Sequence, residues 1–329
     1  MINRLTIRNF KSIRELTMDC RKLNIFIGEP NSGKSNIIEA LCLQSQNAIG
    51  YNELNKDIFR YKTVGDLFCD FNINTPVEVN TDVTETRLSY AVNDDGSPEN
   101  RFHFYPDSVF GKGNTIIIDH NGRIIDSGQN WKTNVRYYQY KRLENFSNKL
   151  MSHLSVPFGE NMPSLLMANT EYKKWVSDFL KSVGLTLTLK PTENEITASK
   201  LVDGEIYSYP YSSLSETLQR IIFYTLALKS NKDCVILLDE PESNTFPLYT
   251  KILAERIALD KTNQFFVTTH NPYLLLNLIE KSPQDDINVC IADMTDYQTR
   301  ITVLDSGQLS EVLDLNSDVF FNFNKLLNI

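Results

Sequence analysis

Gly28-Glu29-Pro30-Asn31-Ser32-Gly33-Lys34-Ser35 follows directly on the apolar run Leu23-Asn24-Ile25-Phe26-Ile27. It precedes a stretch in which Ile37, Ile38, Ala40, Leu41 and Cys42 recur on one helical face. Strand, glycine loop and helix in that order, with the spacing Gly28-x4-Gly33-Lys34-Ser35, is the pattern of a phosphate-binding loop. Each residue type has a physical task there. The glycines let backbone N–H groups point into the loop, Lys34 reaches the outer phosphates and the Ser35 hydroxyl ligates Mg²⁺. The helix N-terminus adds its partial positive charge.

Such a loop needs a carboxylate on a neighbouring strand, and Val235-Ile236-Leu237-Leu238-Asp239-Glu240 supplies two at the end of an apolar run suited to a central parallel strand. Asp239 is expected to face the Mg²⁺ site and Glu240 to orient or polarise an attacking water. The next strand, Gln264-Phe265-Phe266-Val267-Thr268-Thr269, ends in His270, which is placed to donate a hydrogen bond to a γ-phosphate.

Working outward, LTIRNF and LNIFIG read as two strands joined by a short polar hairpin containing Lys11 and Arg14, and Val77 to Arg142 as a curved antiparallel sheet. Turns fall at Asn93-Asp94-Asp95-Gly96 and Asn121-Gly122. Leu143 to Val183 carries a helical pattern that places Trp175, Val176, Phe179, Leu180 and Val183 on one side and stops at Gly184. LTLTLKP and EITASKLVDGEIYSY form a β pair. A helix over Leu214–Leu228, the Asp239 strand, a helix over Pro247–Leu259, the His270 strand and a helix over Tyr273–Ile279 then alternate. That alternation implies a parallel sheet with its ligands at the carboxyl ends of the strands. A strand or two and a closing helix around Ser317–Leu327 complete the reading.

The bulk composition narrows the function. No apolar run approaches the length of a membrane span and the N-terminus lacks a signal-peptide core, so a cytoplasmic, membrane-free protein is expected. Five separated cysteines without a C-x-x-C pair argue against a zinc knuckle or a disulfide framework. A net charge of −8 disfavours a surface that coats nucleic acid. Arg4, Arg8, Lys11 and Arg14, with Lys141 and Arg142, read either as solvated charges or as a local basic patch that leaves DNA binding possible.

The order of these motifs resembles the ATP-binding-cassette ATPases, and within them the branch containing the SMC, RecF and OLD-family ATPases. The residues that carry the resemblance are Asn9-Phe10-Lys11 in "LTIRNFKSIRELTM", Asn36 after the loop in "GKSN", "LLDEPES" at residues 237–243 and "TTHNPYLL" at residues 268–275. The resemblance implies an α/β P-loop NTPase: an ABC-type ATPase head with a mixed central sheet, an antiparallel β subdomain and a small helical lobe. The core would span 1–142 and 206–329 and the lobe 143–205.

ATP and Mg²⁺ are the implied cofactors. Gly28, Asn31, Ser32, Gly33, Lys34, Ser35 and Asn36 would surround the nucleotide; Ser35, Asp239 and Gln139 would serve the metal; Glu240 and His270 would be catalytic. The family's signature segment corresponds to Leu214-Ser215-Glu216-Thr217, so Ser215 and Glu216 of one copy would cover the γ-phosphate held by another, in a homodimer closed around nucleotide. Thr217 stands where the family has glycine, and its Cβ would restrict that approach. Ser213-x-x-Glu216 also reads as a plain capping box.

No heptad pattern lies between Lys34 and Ser215, unlike the long coiled coils of SMC proteins. The stretch after His270 is too short for the nuclease domain of OLD proteins. The expected protein is therefore a compact ATP-hydrolysing switch for a separate effector, a nuclease or toxin, as in short bacterial defence ATPases. A RecF-like DNA-repair ATPase and a non-hydrolysing scaffold are the alternatives.

Overall fold

The computed structural model describes residues 1–45, 48–92, 98–106, 115–126 and 133–321. The chain divides into two compact units: Met1–Tyr137 with Asp233–Glu240 and Thr262–Ile329, and Tyr138–Lys232 with Pro241–Lys261.

The first unit contains two sheets. Strands β1 (Arg4–Phe10) and β2 (Ile13–Asp19) form a hairpin, and β3 (Leu23–Ile27) leaves it for the other sheet. The polar hairpin expected between LTIRNF and LNIFIG thus contains a strand of its own, because Ile13, Leu16 and Met18 reach the core while Arg14, Glu15 and Thr17 stay outside. β4 (Val77–Thr81), β5 (Glu85–Val92), β6 (Pro98–Tyr105), β7 (Ile116–Asp119) and β8 (Ile124–Asp126) extend the hairpin into an antiparallel sheet of order β2-β1-β4-β5-β6-β7-β8. The Asn121-Gly122 turn links β7 to β8 with Gly122 at φ 86°; residues 93–96 lie outside the described residues.

The second sheet joins β3 to β9 (Val135–Tyr138), β13 (Val235–Asp239), β14 (Gln264–Thr268), β15 (Ile287–Thr295) and β16 (Gln298–Val303), in the order β16-β15-β3-β14-β13-β9. β15, β3, β14 and β13 run parallel, and β16 pairs antiparallel with β15. Every residue of β3 and β14 is buried, as a strand covered on both faces requires. Helix α1 (Lys34–Cys42) packs on β13 and β14, and its apolar face joins that of the antiparallel sheet in one core around Phe10, Ile37, Leu41, Phe59 and Phe104. α6 (Pro272–Lys281) follows β14, capped by Asn271, whose side chain accepts from the N–H groups of Tyr273 and Leu274. α7 (Ser306–Leu315) opens on a capping box between Asp305 and Gln308. A 3₁₀ helix over Asn316–Phe321 follows α7, and the rest of the helix expected around Ser317–Leu327 lies outside the described residues.

The second unit holds α2 (Met162–Ala168), α3 (Thr170–Ser182), the meander β10 (Thr186–Lys190), β11 (Glu195–Val202) and β12 (Glu205–Pro210), then α4 (Glu216–Ser230) and α5 (Pro247–Ala258). Residues 143–161, expected to be helical, are irregular. Side-chain bonds within the segment replace helical ones: buried Asn161 accepts from the Ser155 N–H at 2.7 Å and donates to the His153 carbonyl at 3.0 Å. Gly159, at φ 74°, meets the Phe223 ring, which a Cβ would approach to 3.0 Å. The compact division also differs from the expected one, since α4 and α5 fall in the same unit as residues 143–205. The helix start is corrected as well: the N-cap of α4 is Ser215, whose hydroxyl accepts from the Leu218 N–H, and Ser213 belongs to a preceding 3₁₀ turn.

Candidate nucleotide site

The loop between β3 and α1 is shaped by two close approaches of backbone. Gly28 sits at φ 145°, where an added Cβ would lie 2.1 Å from the Ala292 carbonyl of β15. Gly33, the N-cap of α1, sits at φ 91°, where a Cβ would lie 1.8 Å from Thr299 Oγ1 of β16. Neither site tolerates a side chain. Gly33→Ala is expected to destabilise the fold by on the order of 2 kcal/mol through clash and left-handed backbone strain. Thermal unfolding of the variant checks this, and an unchanged melting curve would show that β16 can yield.

Lys34 folds back over this loop, its Nζ donating to the carbonyls of Gly28 at 3.0 Å and Glu29 at 2.7 Å and to Ser32 Oγ at 3.2 Å. Burial pulls its pKa down, against the opposing pull of Glu240 and Asp239. Ser35 Oγ donates to Asp239 Oδ1 at 3.1 Å, and Thr268 Oγ1 makes a short hydrogen bond to the same oxygen. Thr268 Oγ1 in turn accepts from the Glu240 N–H at 3.0 Å, which fixes the residue after β13 in a left-handed conformation at φ 45°. The Glu240 carboxylate lies 3.1 Å from His270 Nε2. Burial and Lys34 lower the His270 pKa, only partly offset by Glu240 and Asp239, which favours the neutral ring, with Nε2 facing Glu240.

These residues open on one cavity of about 440 Å³, lined among others by Asn31, Lys34, Ser35, Asn36, Glu240 and His270. Its volume lies within the roughly 300–1,000 Å³ of small-molecule sites. Asn31 stands at φ 63° on its rim, and Ser32 is buried beneath Lys34. The first unit therefore brings together Gly28, Asn31, Ser32, Gly33, Lys34, Ser35, Asn36, Asp239, Glu240 and His270. Gln139, Ser215 and Glu216 belong to the second unit. There the Gln139 N–H donates to the Pro157 carbonyl at 3.1 Å, and Glu216 pairs with Arg220 at 2.8 Å.

Pro30 of the loop also lines the cavity, and so do three residues from outside the motifs: Ser12, Arg60 and Met294. Ser12, next to Lys11 of the Asn-Phe-Lys segment, was within reach of motif reading. Its hydroxyl accepts from Asn36 Nδ2 at 2.7 Å and meets Thr299 Oγ1 at 2.6 Å. Arg60 had no local signal. It is held by Glu39 of α1, with Nε 2.7 Å and Nη2 2.6 Å from Oε1.

Elsewhere in the first unit, most of the N-terminal basic set is neutralised: Arg8 pairs with Glu15 and Glu78, Arg14 with Asp70, and Lys11 with Glu39. Cys20, Cys42, Cys69, Cys234 and Cys290 are free thiols, four of them buried. No helix among the described residues is long and apolar enough to cross a membrane. No group of three or more His, Cys, Asp or Glu among them could hold a metal by itself. What fits the Ser35 hydroxyl and Asp239 carboxylate is a hard cation such as Mg²⁺, which binds through one or two carboxylates, substrate phosphates and water.

Residues 1–103 match the AAA ATPase domain family, and residues 171–277 match the AAA-domain family that carries the AbiEii toxin, type IV toxin–antitoxin description. No curated protein matches the sequence at a significant level. Among solved structures, the Smc head bound to the C-winged-helix domain of ScpA is similar at 17% identity and a TM-score of 0.56, covering 94% of this chain and 99% of that one. The Thermotoga maritima SMC head matches at 15% identity and TM-score 0.43, covering 92% and 99%. The Pyrococcus furiosus Smc head bound to the C-terminal domain of ScpA matches at 14% and 0.49, covering 95% and 98%.

Proposed function

On the premise that this chain is an ATP-binding P-loop NTPase with the ABC-type ATPase head fold, we propose that it hydrolyses ATP and uses the cycle to switch a partner protein. The observation that carries this is the convergence of Lys34, Ser35, Glu240 and His270 on one cavity, with Asp239 bonded to Ser35. Lys34 would exchange its loop carbonyls for the outer phosphates. Ser35 and Asp239 would hold Mg²⁺; the cation's contribution is charge neutralisation at the transferred phosphoryl group. Glu240, fixed by its N–H on Thr268, would orient the attacking water and accept its proton. His270 would turn its Nε2–H from Glu240 to the γ-phosphate and report its loss.

In this reading the site closes when Ser215 and Glu216 of a second copy cover the γ-phosphate. Backbone and hydroxyl donors at the start of α4 support this, since they are the groups a helix N-terminus offers an anion. Thr217 is the departure to test. Thr217→Gly is expected to raise turnover several-fold by removing the Cβ at this approach, at a cost of about 1 kcal/mol in helix stability. Phosphate release by wild type and variant under saturating Mg·ATP checks it; equal or slower turnover in the variant would argue that Thr217 does not limit closure.

For the setting, we favour bacterial anti-phage defence with a separate nuclease or toxin as effector, inside the cell. The toxin–antitoxin description of the family matched over residues 171–277 supports this. The ion pairs that neutralise Arg8, Lys11 and Arg14 weigh against a DNA-clamping repair ATPase. The direct test is phosphate release from ATP by the purified chain, with the particle mass in solution measured with and without nucleotide. No release and no ATP-dependent change of mass would leave only a nucleotide-bound scaffold.

A further inference from the structure

The carboxylate of Glu39 lies on the buried face of α1, with its side chain only 7% exposed, and it faces two cations of opposite character. Lys11, on the β1–β2 turn at φ 49°, is 11% exposed and held there, its backbone N–H donating to the Leu67 carbonyl at 3.0 Å. Arg60 is 68% exposed, lies on the rim of the nucleotide cavity and approaches Asn36 Oδ1 at 3.4 Å with the same Nη2 that meets Glu39. A buried carboxylate stripped of every partner is heavily penalised, so a lone cation would be locked to it. Two cations on one acid change that balance. With Lys11 remaining, Arg60 can turn away and leave Glu39 paired.

We infer that Glu39 is a positioning residue for Arg60: it holds the guanidinium at the cavity rim, and Lys11 retains Glu39 when Arg60 transfers N–H donors to a nucleotide phosphate. This rests on the nucleotide reading of the cavity. Arginine suits the role because its planar fork can keep one N–H on the carboxylate while presenting another to a phosphate oxygen. Anchoring Arg60 beforehand reduces the side-chain entropy lost when the nucleotide arrives.

The test is a double-mutant cycle on the full chain, with Kd read by calorimetry for a slowly hydrolysed ATP analogue with Mg²⁺. Arg60→Ala is expected to weaken binding about tenfold, the scale of one charge-assisted contact. Glu39→Gln should weaken it about fivefold in the native background and less than twofold beside Arg60→Ala, because its effect runs through that side chain. An equal loss in both backgrounds would overturn the inference and leave Glu39 as scaffolding for α1. Glu39→Asp, which keeps a charge for Lys11 but draws the carboxylate back from Arg60, repeats the cycle if Glu39→Gln unfolds, with the same outcomes expected. Lys34→Ala run alongside separates the two levels. If it too leaves binding intact, the nucleotide assignment fails; if it abolishes binding while the cycle is additive, only the role of Glu39 fails.

Discussion

Lys34→Ala is expected to lose ATP binding, with Kd for a slowly hydrolysed analogue rising by about a hundredfold or more. The lysine is the one cation inside the loop, and its Nζ already satisfies three oxygen acceptors, on Gly28, Glu29 and Ser32, within a space narrowed by β15 and β16. Phosphate oxygens can replace those acceptors with stronger, charge-assisted bonds, each contributing about 1.5–3 kcal/mol. Alanine removes all of them and leaves Asp239 and Glu240 facing an anionic ligand without that cation. Calorimetry with Mg²⁺ present is the measurement, with thermal unfolding as the control for folding. A variant that binds the analogue as wild type does would remove the basis for the site.

The second large effect is expected at Glu240. Glu240→Gln keeps the side chain's shape and an oxygen for His270 Nε2–H, so the nucleotide should still bind. What disappears is the proton acceptor, a contribution of about 10²–10⁴ in rate. Phosphate release should fall by that factor while an ATP-bound, higher-mass species accumulates in light scattering. Equal phosphate release by both proteins would transfer the base to another residue. No release from either, with nucleotide bound, would establish the scaffold reading.

The local motifs were legible because their physics is local. A phosphate loop needs glycine at the turns, lysine and a hydroxyl at set offsets, and a strand and helix on either side, all within Leu23–Cys42. The apolar runs ending at Asp239 and Thr268 likewise announce strands buried on both faces, and the structure makes them β13 and β14. Where the sequence misled, side-chain hydrogen bonds, turns and one close approach to Phe223 overrode the periodic pattern. Residues 143–161 repeat apolar positions at helical spacing, yet Asn161 and Gly159 tie them into a loop. Ser213 has the spacing of a capping box, but the preceding 3₁₀ turn moves the cap to Ser215.

The amino-acid sequence by itself determined the pieces of the proposed site: a glycine-lysine-serine loop, a strand ending in two carboxylates and a strand ending in histidine, in fixed chain order, because each piece is encoded within a few residues. Only the tertiary structure decided which distant side chains complete it. Strand β3 runs beside β15, which sets Ala292 against Gly28; β13 pairs with β14, which brings Thr268 to Asp239, while β16 sets Thr299 against Gly33. Arg60 reaches the cavity because a buried acid on α1 draws it there. Strand register and the pairing of buried charges depend on segments far apart along the chain, and periodicity within one segment carries no trace of them.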